Sequence, residues 1–322
     1  MADESSFSTS TADLEPEFDH DVDTALVTGA TGDVGSWVVD RLADRGTHVV
    51  GIDREQPEGV RANADFRAVD LTEQAPTWET ICEVEPDAVV HLAAISDPLD
   101  NPATRVFENN VTSTYNVLQA AGREGVDVVW SSSQATYGAL FAGRGWRPDA
   151  LPIDETHEQR PADSYGLSKR CGEEIARATA RGYDISVTTI RPATIFTPEK
   201  VRARPAEDDS DLTTAESSGD FGSYVDVRDV ARMVEAALAA DSDGHEAFHC
   251  VADENYLGRP TAELVEAICG DLPADCTLEG KEAALSNAKA AAMLGWEPTH
   301  SWPDSGADAG GDSSGTDGPT WR

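Results

Sequence analysis

Tyr165 and Lys169 stand four residues apart. On a helix that spacing puts both side chains on one face, one turn from each other. A phenol of pKa about 10 is a poor base near neutrality, and an adjacent ammonium stabilises its phenolate. Such a pair could exchange a proton with a substrate hydroxyl. Pairs at this spacing also arise by chance, so the pair needs support from elsewhere in the chain. Ser131-Ser132-Ser133-Gln134-Ala135-Thr136-Tyr137-Gly138 lies upstream. Hydroxyls leaving the carboxyl end of a strand would sit over a cleft.

A second group of residues is suited to phosphate. A short apolar run at 25–28 leads directly into Gly29-Ala30-Thr31-Gly32-Asp33-Val34-Gly35 and then a helical pattern. Glycines so spaced allow a tight turn, close approach of backbone to pyrophosphate, and close packing of helix on strand. The helix start adds free N–H groups and a positive dipole end. A glycine triplet alone is weak, and its strand-turn-helix context strengthens it. About 20 residues further on, Asp53 is placed to accept both hydroxyls of a ribose, which favours NAD. Arg54 follows and could pair with a 2′-phosphate, so NADP stays open. Asp70 and Leu71 are placed to touch adenine, and Ala93 and Ala94 are small enough for a cofactor to lie against the backbone.

The elements that must carry these residues alternate. Runs at 25–28, 48–52, 88–92, 126–130 and 186–190 read as buried parallel strands, and 66–69 is a weaker candidate. Helical patterns fall at 34–43, 104–123 and 164–181. This alternation predicts an α/β fold, a Rossmann doubly wound parallel sheet with right-handed crossovers. After Arg191 the pattern changes: a polar stretch at 197–223, a helix at 230–240, a strand at 246–251, and helices at 261–269 and 286–294. The reading is a NAD(P)-binding Rossmann domain at 23–191. A small C-terminal α/β substrate-binding part, 192–302, is interleaved with it and caps the carboxyl edge of the sheet. Residues 1–22 and 303–322, rich in Asp, Ser and Gly, read as disordered tails.

Composition removes several classes of function. Sixty acidic and 24 basic residues give a net charge of −36, and only Lys169, Lys200, Lys281 and Lys289 are lysines. That charge repels phosphate backbones, which speaks against nucleic acid. It also repels itself at low salt, and screening would relieve it, so a salt-rich cytoplasm is the expected setting. No apolar run approaches the roughly 18 residues of a membrane span. The acidic start lacks the features of a secretory leader, so the cytoplasm is expected. Five cysteines form no C-x-x-C pair and seven histidines are scattered, so no metal is expected.

With these motifs in order, the chain resembles the extended short-chain dehydrogenases/reductases, the NAD-dependent epimerase/dehydratase family. The resemblance rests on the segment from Thr28 to Gly35, Asp70-Leu71, His91 to Ala94, and Asn110-Val111. It continues through Ser132 to Gly138, Tyr165-x-x-x-Lys169, Arg191-Pro192, Tyr224 to Ala231, and Leu294 to Pro298. It implies that Tyr165 is the general acid/base, Ser133 holds the reacting oxygen, Lys169 binds the nicotinamide ribose and tunes Tyr165, and Asn110 shapes the proton path. Pro192 joins the cofactor residues by the same resemblance. Members often dimerise through the helices matching 104–123 and 164–181, so a homodimer is expected.

Only 32 residues separate Arg191 from Tyr224, whereas the nucleotide-sugar members carry a longer segment there. Glu207, Asp208, Asp209 and Asp211 would repel a diphosphate. The compact version resembles uronate and aldose 1-dehydrogenases, and Ser96, Ser133 and Thr194 match their sugar contacts. Arg202 or Arg204 could meet a substrate carboxylate. Two reactions follow as expectations: oxidation of a free aldose or uronate at C1 by hydride transfer to NAD(P), or 4-epimerisation of a UDP-sugar. A dehydratase would want a carboxylate beside Ser133, where Gln134 stands. A non-catalytic cofactor-binding regulator is disfavoured by the intact Ser133, Tyr165 and Lys169.

Overall fold

The computed structural model describes residues 18–140, 146–198, 219–301 and 318–322. Seven parallel strands form the central sheet. They are β1 (Thr24–Thr28), β2 (His48–Asp53), β3 (Ala64–Ala68), β4 (Ala88–His91), β5 (Asp127–Ser131), β7 (Val187–Pro192) and β10 (His245–Cys250). Their order is β10-β7-β5-β4-β1-β2-β3, so the chain reverses its direction of winding beside β1. In open α/β sheets that switch point is where ligands bind, outside the carboxyl ends of the strands. The central strands read as continuous apolar runs because helices cover both faces. All four residues of β4 are buried. β3 has no fully buried position, as befits an edge strand, which is why it is the weakest strand signal in the sequence.

The registers bring the chemistry-bearing strand ends to one edge. Thr28 lies opposite Ile52 on one side and His91 on the other. The Thr28 hydroxyl bonds His91 Nδ1 at 2.7 Å and accepts from the Leu92 and Ala93 amides. Burial pulls the His91 imidazole down to about 3, so this bridge between β1 and β4 is neutral.

Helices α1 (Gly35–Asp44), α2 (Gln74–Val84), α3 (Ala103–Glu124) and α4 (Ser164–Tyr183) are the crossovers. The sequence does not single out α2, because its buried face is only Thr77, Thr80 and Ile81. Helix α3 packs broadly on α4. Helix α4 in turn approaches the sheet at Gly172, where a Cβ would stand 2.5 Å from the buried Trp130 ring.

Beyond Pro192 the chain does not form a separate body. Helix α5 (Val227–Ala239) packs on α1, and β10 completes the main sheet. What caps the carboxyl edge is a small set of pairs: β8 (Thr194–Phe196) with β9 (Tyr224–Asp226), and β6 (Ala150–Leu151) with β11 (Asp275–Cys276). β6, β11 and α6 (Thr261–Cys269) line a further apolar core containing Tyr137, Ile153, Phe221, Val265 and Leu285, whereas α7 (Ala288–Leu294) packs against the main core through Ala290 and Leu294.

Disorder does not describe residues 18–22 or 318–322 of the two tails. Phe18 and Val22 pack against the main core, and Trp321 is 6% exposed within it. Residues 1–17 and 302–317 lie outside the described residues, as do Arg202, Arg204, Glu207, Asp208, Asp209 and Asp211. Among the described residues, no helix is long and apolar enough to cross a membrane.

Candidate active site

Three elements converge at the carboxyl end of β5. The strand runs into Ser132 and Ser133, and Ser133 caps a short 3-10 turn (Gln134–Tyr137) by accepting the Ala135 amide at 3.1 Å. Helix α4 begins beside this turn, capped by Asp163, whose carboxylate accepts the Gly166 amide at 2.8 Å. A Cβ on Gly166 would lie 2.5 Å from the Ala135 carbonyl. That close approach needs glycine, and it brings Tyr165 to Ser133. The Ser133 hydroxyl favours the ionised form of the Tyr165 phenol.

Lys169 stands one turn further along α4 and is 3% exposed. Its Nζ donates to the Ser131 carbonyl at 2.6 Å and lies 5.4 Å from the Trp130 ring and 5.7 Å from the Tyr165 ring. Among the described residues it has no carboxylate partner, and burial pulls its pKa down to about 7. Burial pushes the Tyr165 phenol up to about 12, against the Ser133 hydrogen bond, and Asp163 adds to the rise. The sequence reading anticipates a phenol lowered by its lysine. Desolvation is the leading cause for both groups, and Lys169 is not among the causes that move Tyr165.

The Asn110 side chain hydrogen-bonds elsewhere than to Tyr165. Its Oδ1 accepts the Ile95 amide at 2.8 Å, and its Nδ2 donates to the Ile95 carbonyl at 3.0 Å and to Ser168 Oγ at 3.1 Å. It thereby ties the loop after β4 to helix α4.

The dinucleotide cradle fits its proposed occupant. Gly29 takes φ +68°, and a Cβ there would come within 2.9 Å of Ala93. A Cβ on Gly35 would stand 1.9 Å from the Gly29 carbonyl oxygen, so only glycine lets α1 begin there. Asp53 Oδ2 accepts from the Thr31 amide at 3.1 Å and the Thr31 hydroxyl at 2.7 Å, which turns the carboxylate toward the glycine loop. Gly32 and Val34 complete the loop. Asp33 and Arg54 are exposed at its rim. Asp70 accepts from the Thr72 amide and hydroxyl, which hold its carboxyl below the usual range. Leu71 is buried, and its carbonyl accepts from Asn116 at 2.9 Å. Ala93 and Ala94 are half-buried, and Pro192 is buried at the end of β7.

On the substrate side, the Thr194 hydroxyl donates to Asp220 Oδ2 at 2.9 Å and accepts from Gln134 Nε2 at 3.2 Å. Gln134 is the neighbour of Ser133, so this polar chain extends from the proton-transfer group. Ser96 is exposed. Gln134 and Asp220 are contacts that the sequence reading does not identify. Gln134 was legible in principle from its place beside Ser133, whereas Asp220 is brought in by the pairing of β8 with β9.

A buried network next to this site also goes unseen in the sequence. The Arg191 guanidinium forks onto Glu173, with two bonds of 2.8 Å, and donates to the Tyr137 hydroxyl at 2.7 Å. Tyr137 meets His249 Nε2 at 2.6 Å, and Ser132 donates to Glu173 at 2.8 Å. The Arg191 guanidinium holds the Glu173 carboxyl down at about 2 despite its burial. Glu173 lies four residues beyond Lys169 on the same face of α4, which is the signal that could have found it. An open cleft of about 550 Å³ borders this network, lined by Arg177, Arg191, His245, Glu246 and Lys289, and it includes none of Ser133, Tyr165 and Lys169. Arg177 is paired with Glu173 and Lys289 with Glu246.

Comparison with known proteins bears on this geometry. Residues 25–250 match the model of the NAD dependent epimerase/dehydratase family. A UDP-glucose 4-epimerase of Mycolicibacterium smegmatis is 29% identical over 85% of this chain and 93% of its own length. An L-arabinose 1-dehydrogenase (NAD(P)(+)) of Haloferax volcanii is 30% identical over 57% of this chain and 72% of its own. The chain spans about half the length of the first curated relatives it matches, 55% and 50%. Among solved structures, a glucuronic acid dehydrogenase of Chromohalobacter salexigens aligns over 88% of this chain and 86% of its own, with TM-score 0.63 and 24% identity. A short-chain dehydrogenase/reductase superfamily protein of Agrobacterium tumefaciens with bound NAD aligns over 87% and 93%, with TM-score 0.65 and 24% identity. Both share the fold.

Proposed function

The chain belongs to the NAD-dependent epimerase/dehydratase family, and we propose that within it this protein oxidises a free sugar, an aldose or a uronate, at C1. NAD is the cofactor of this reading and NADP its alternative; when bound, the cofactor accepts the hydride that leaves the sugar carbon. The backbone of the turn at Gly29, Thr31, Gly32, Asp33, Val34 and Gly35 would hold its pyrophosphate, and the Asp53 carboxylate its ribose. Asp70 and Leu71 would meet the adenine. Ala93, Ala94, Lys169 and Pro192 would line its nicotinamide half.

The protein's own part is the proton. Tyr165 takes the hydroxyl proton of the sugar, and Ser133, which favours the Tyr165 phenolate, holds the same oxygen. A phenol pushed up to about 12 cannot ionise near neutrality unless a cation stands by. Lys169, one turn along α4, supplies that charge in its protonated form, which burial leaves about half populated near pH 7. Its burial without a counter-charge keeps its field directed at the site rather than spent on a neighbour. Asn110 fixes the floor by binding Ile95 and Ser168.

The observation that carries the choice of free sugar is the hydrogen-bonded chain Gln134–Thr194–Asp220 beside Ser133. An amide, a hydroxyl and a carboxylate suit the several hydroxyls of a sugar. The same carboxylate opposes a diphosphate. The Haloferax and Chromohalobacter relatives support this reading. Against it, the Mycolicibacterium epimerase is similar over nearly its whole length, which supports 4-epimerisation of a UDP-sugar as the second reading. A homodimer through α3 and α4 belongs to the proposal, since Tyr115 and Leu167 expose apolar surface on those helices.

The two readings differ in cofactor turnover. A dehydrogenase releases reduced cofactor at each cycle, whereas an epimerase returns what it takes. With NAD or NADP in concentrated KCl, at least one free pentose, hexose or uronate should give steady growth of absorbance at 340 nm. UDP-glucose or UDP-galactose should give no epimer. Epimer without net reduced cofactor, together with silence across the free sugars, would reverse the assignment.

A further inference from the structure

Residues 318–322 return to the nucleotide half of the molecule. Trp321 lies between the loop after β2 and helix α1. Its ring is 4.8 Å from that of Phe66, its indole Nε1 donates to Asp40 Oδ1 at 2.7 Å, and its carbonyl accepts the Gly59 amide at 2.9 Å. A Cβ on Gly59 would stand 2.6 Å from Trp321 backbone, so the loop is shaped for this contact. Gly318 lies against Trp37. Trp321 is 6% exposed, and a buried aromatic with its N–H satisfied is a strong anchor.

This anchor delivers the next residue to the phosphate-binding turn. Arg322 Nη1 lies 3.2 Å from Asp33 Oδ1, and Asp33 stands between Gly32 and Gly35, at the start of α1. A carboxylate there opposes an anion in the place where the helix dipole and free amides attract one. Asp53 adds a second acid nearby, bonded to Thr31 of the same turn. Gly29 to Gly35 contains no cation of its own.

We propose that Arg322, held by Trp321, neutralises Asp33 and so sets the affinity of the glycine turn for the pyrophosphate of the dinucleotide. Arg322 is then a positioning and charge-balancing residue supplied from far along the sequence. The proposal rests on the cofactor reading given above. It differs from that reading in naming a cation on which cofactor affinity depends.

The test is NADH and NADPH binding to the full chain, followed by cofactor fluorescence without any sugar, at about 0.2 M and about 2 M KCl. Arg322→Ala should raise the Kd for NADH about three- to tenfold at the lower salt. The rise should shrink at the higher salt, because screening weakens a partly exposed pair. Trp321→Ala should raise Kd similarly, by releasing the guanidinium. In an Asp33→Asn background, Arg322→Ala should leave Kd unchanged, since no charge remains to neutralise. NADPH should show the same loss as NADH.

An unchanged Kd in Arg322→Ala overturns the proposal, and so does a loss that persists undiminished in Asp33→Asn. A loss confined to NADPH overturns it in favour of a role at the 2′-phosphate. Arg322→Ala keeps the question answerable if Trp321→Ala fails to fold. Failure of the unaltered protein to bind either cofactor would instead sink the cofactor reading itself.

Discussion

Helix α4 carries two polar clusters one turn apart, and they are built on opposite terms. At Glu173 each buried charge meets its opposite: a forked guanidinium from Arg191, a hydroxyl from Ser132, and beyond them Tyr137 and His249. At Lys169 the ammonium has one carbonyl and two ring faces. Burial drives both groups toward their neutral forms. Pairing reverses this for Glu173, held down at about 2, and nothing reverses it for Lys169, pulled down to about 7. One cluster fixes the join between α4 and β7, and the other leaves a charge unspent. Perturbed, incompletely paired groups gather at functional sites because chemistry needs what stability would remove.

The sharpest way to break this contrast is to delete one member of each cluster. Glu173→Ala leaves the Arg191 guanidinium buried and uncompensated, which should cost about 3–5 kcal/mol. That corresponds to a fall in thermal midpoint on the order of 10 °C. Lys169→Met, which removes a buried unpaired charge, should leave the midpoint near neutral pH unchanged or higher. Equal losses in the two variants would mean that Lys169 is structural.

Turnover should divide the clusters the other way. Tyr165→Phe should lower kcat by about 10² or more while NADH binds as before. Turnover near that of the unaltered protein would remove Tyr165 from the mechanism.

Cofactor preference gives a smaller effect. Asp53→Ala should narrow the difference in kcat/KM between NAD and NADP by about tenfold, the order of one lost charged hydrogen bond. An unchanged ratio would leave Asp53 as a brace for Thr31 only.

The pH dependence of stability should also separate the clusters. Lys169 binds its proton less tightly folded than unfolded, so between about pH 7 and pH 10.5 the unfolded chain holds more protons. Stability then rises with pH through that window, and Lys169→Met should flatten the rise. Glu173 is depressed, so its contribution is present above about pH 4.5 and is lost as pH falls toward about 2. Parallel midpoint profiles for the unaltered protein and Lys169→Met between pH 7.5 and 9.5 would show that the Lys169 charge is compensated after all.

What the sequence by itself determined is whatever local spacing controls. Apolar runs of four or five residues fixed the central strands. Gly29 to Gly35 fixed the turn, because a Cβ at Gly35 cannot coexist with the Gly29 carbonyl. Four-residue spacing on α4 put Tyr165 and Lys169 on one face. Helix α2, with three buried residues, and the two-residue strands β6 and β11 left no comparable periodicity to read.

Tertiary structure alone decided which distant groups meet. Glu173 with Arg191, Gln134 with Thr194 and Asp220, and Arg322 with Asp33 are each joined by strand order or by a buried anchor. Partner choice for a buried charge depends on which opposite charge the packing delivers, and no local pattern encodes that. The same limit explains the tails. The Asp/Ser/Gly composition of 303–322 predicts disorder throughout, yet Trp321 is buried at 6% exposure. One indole with a ready-made slot between Phe66, Gly59 and Asp40 outweighs the composition around it.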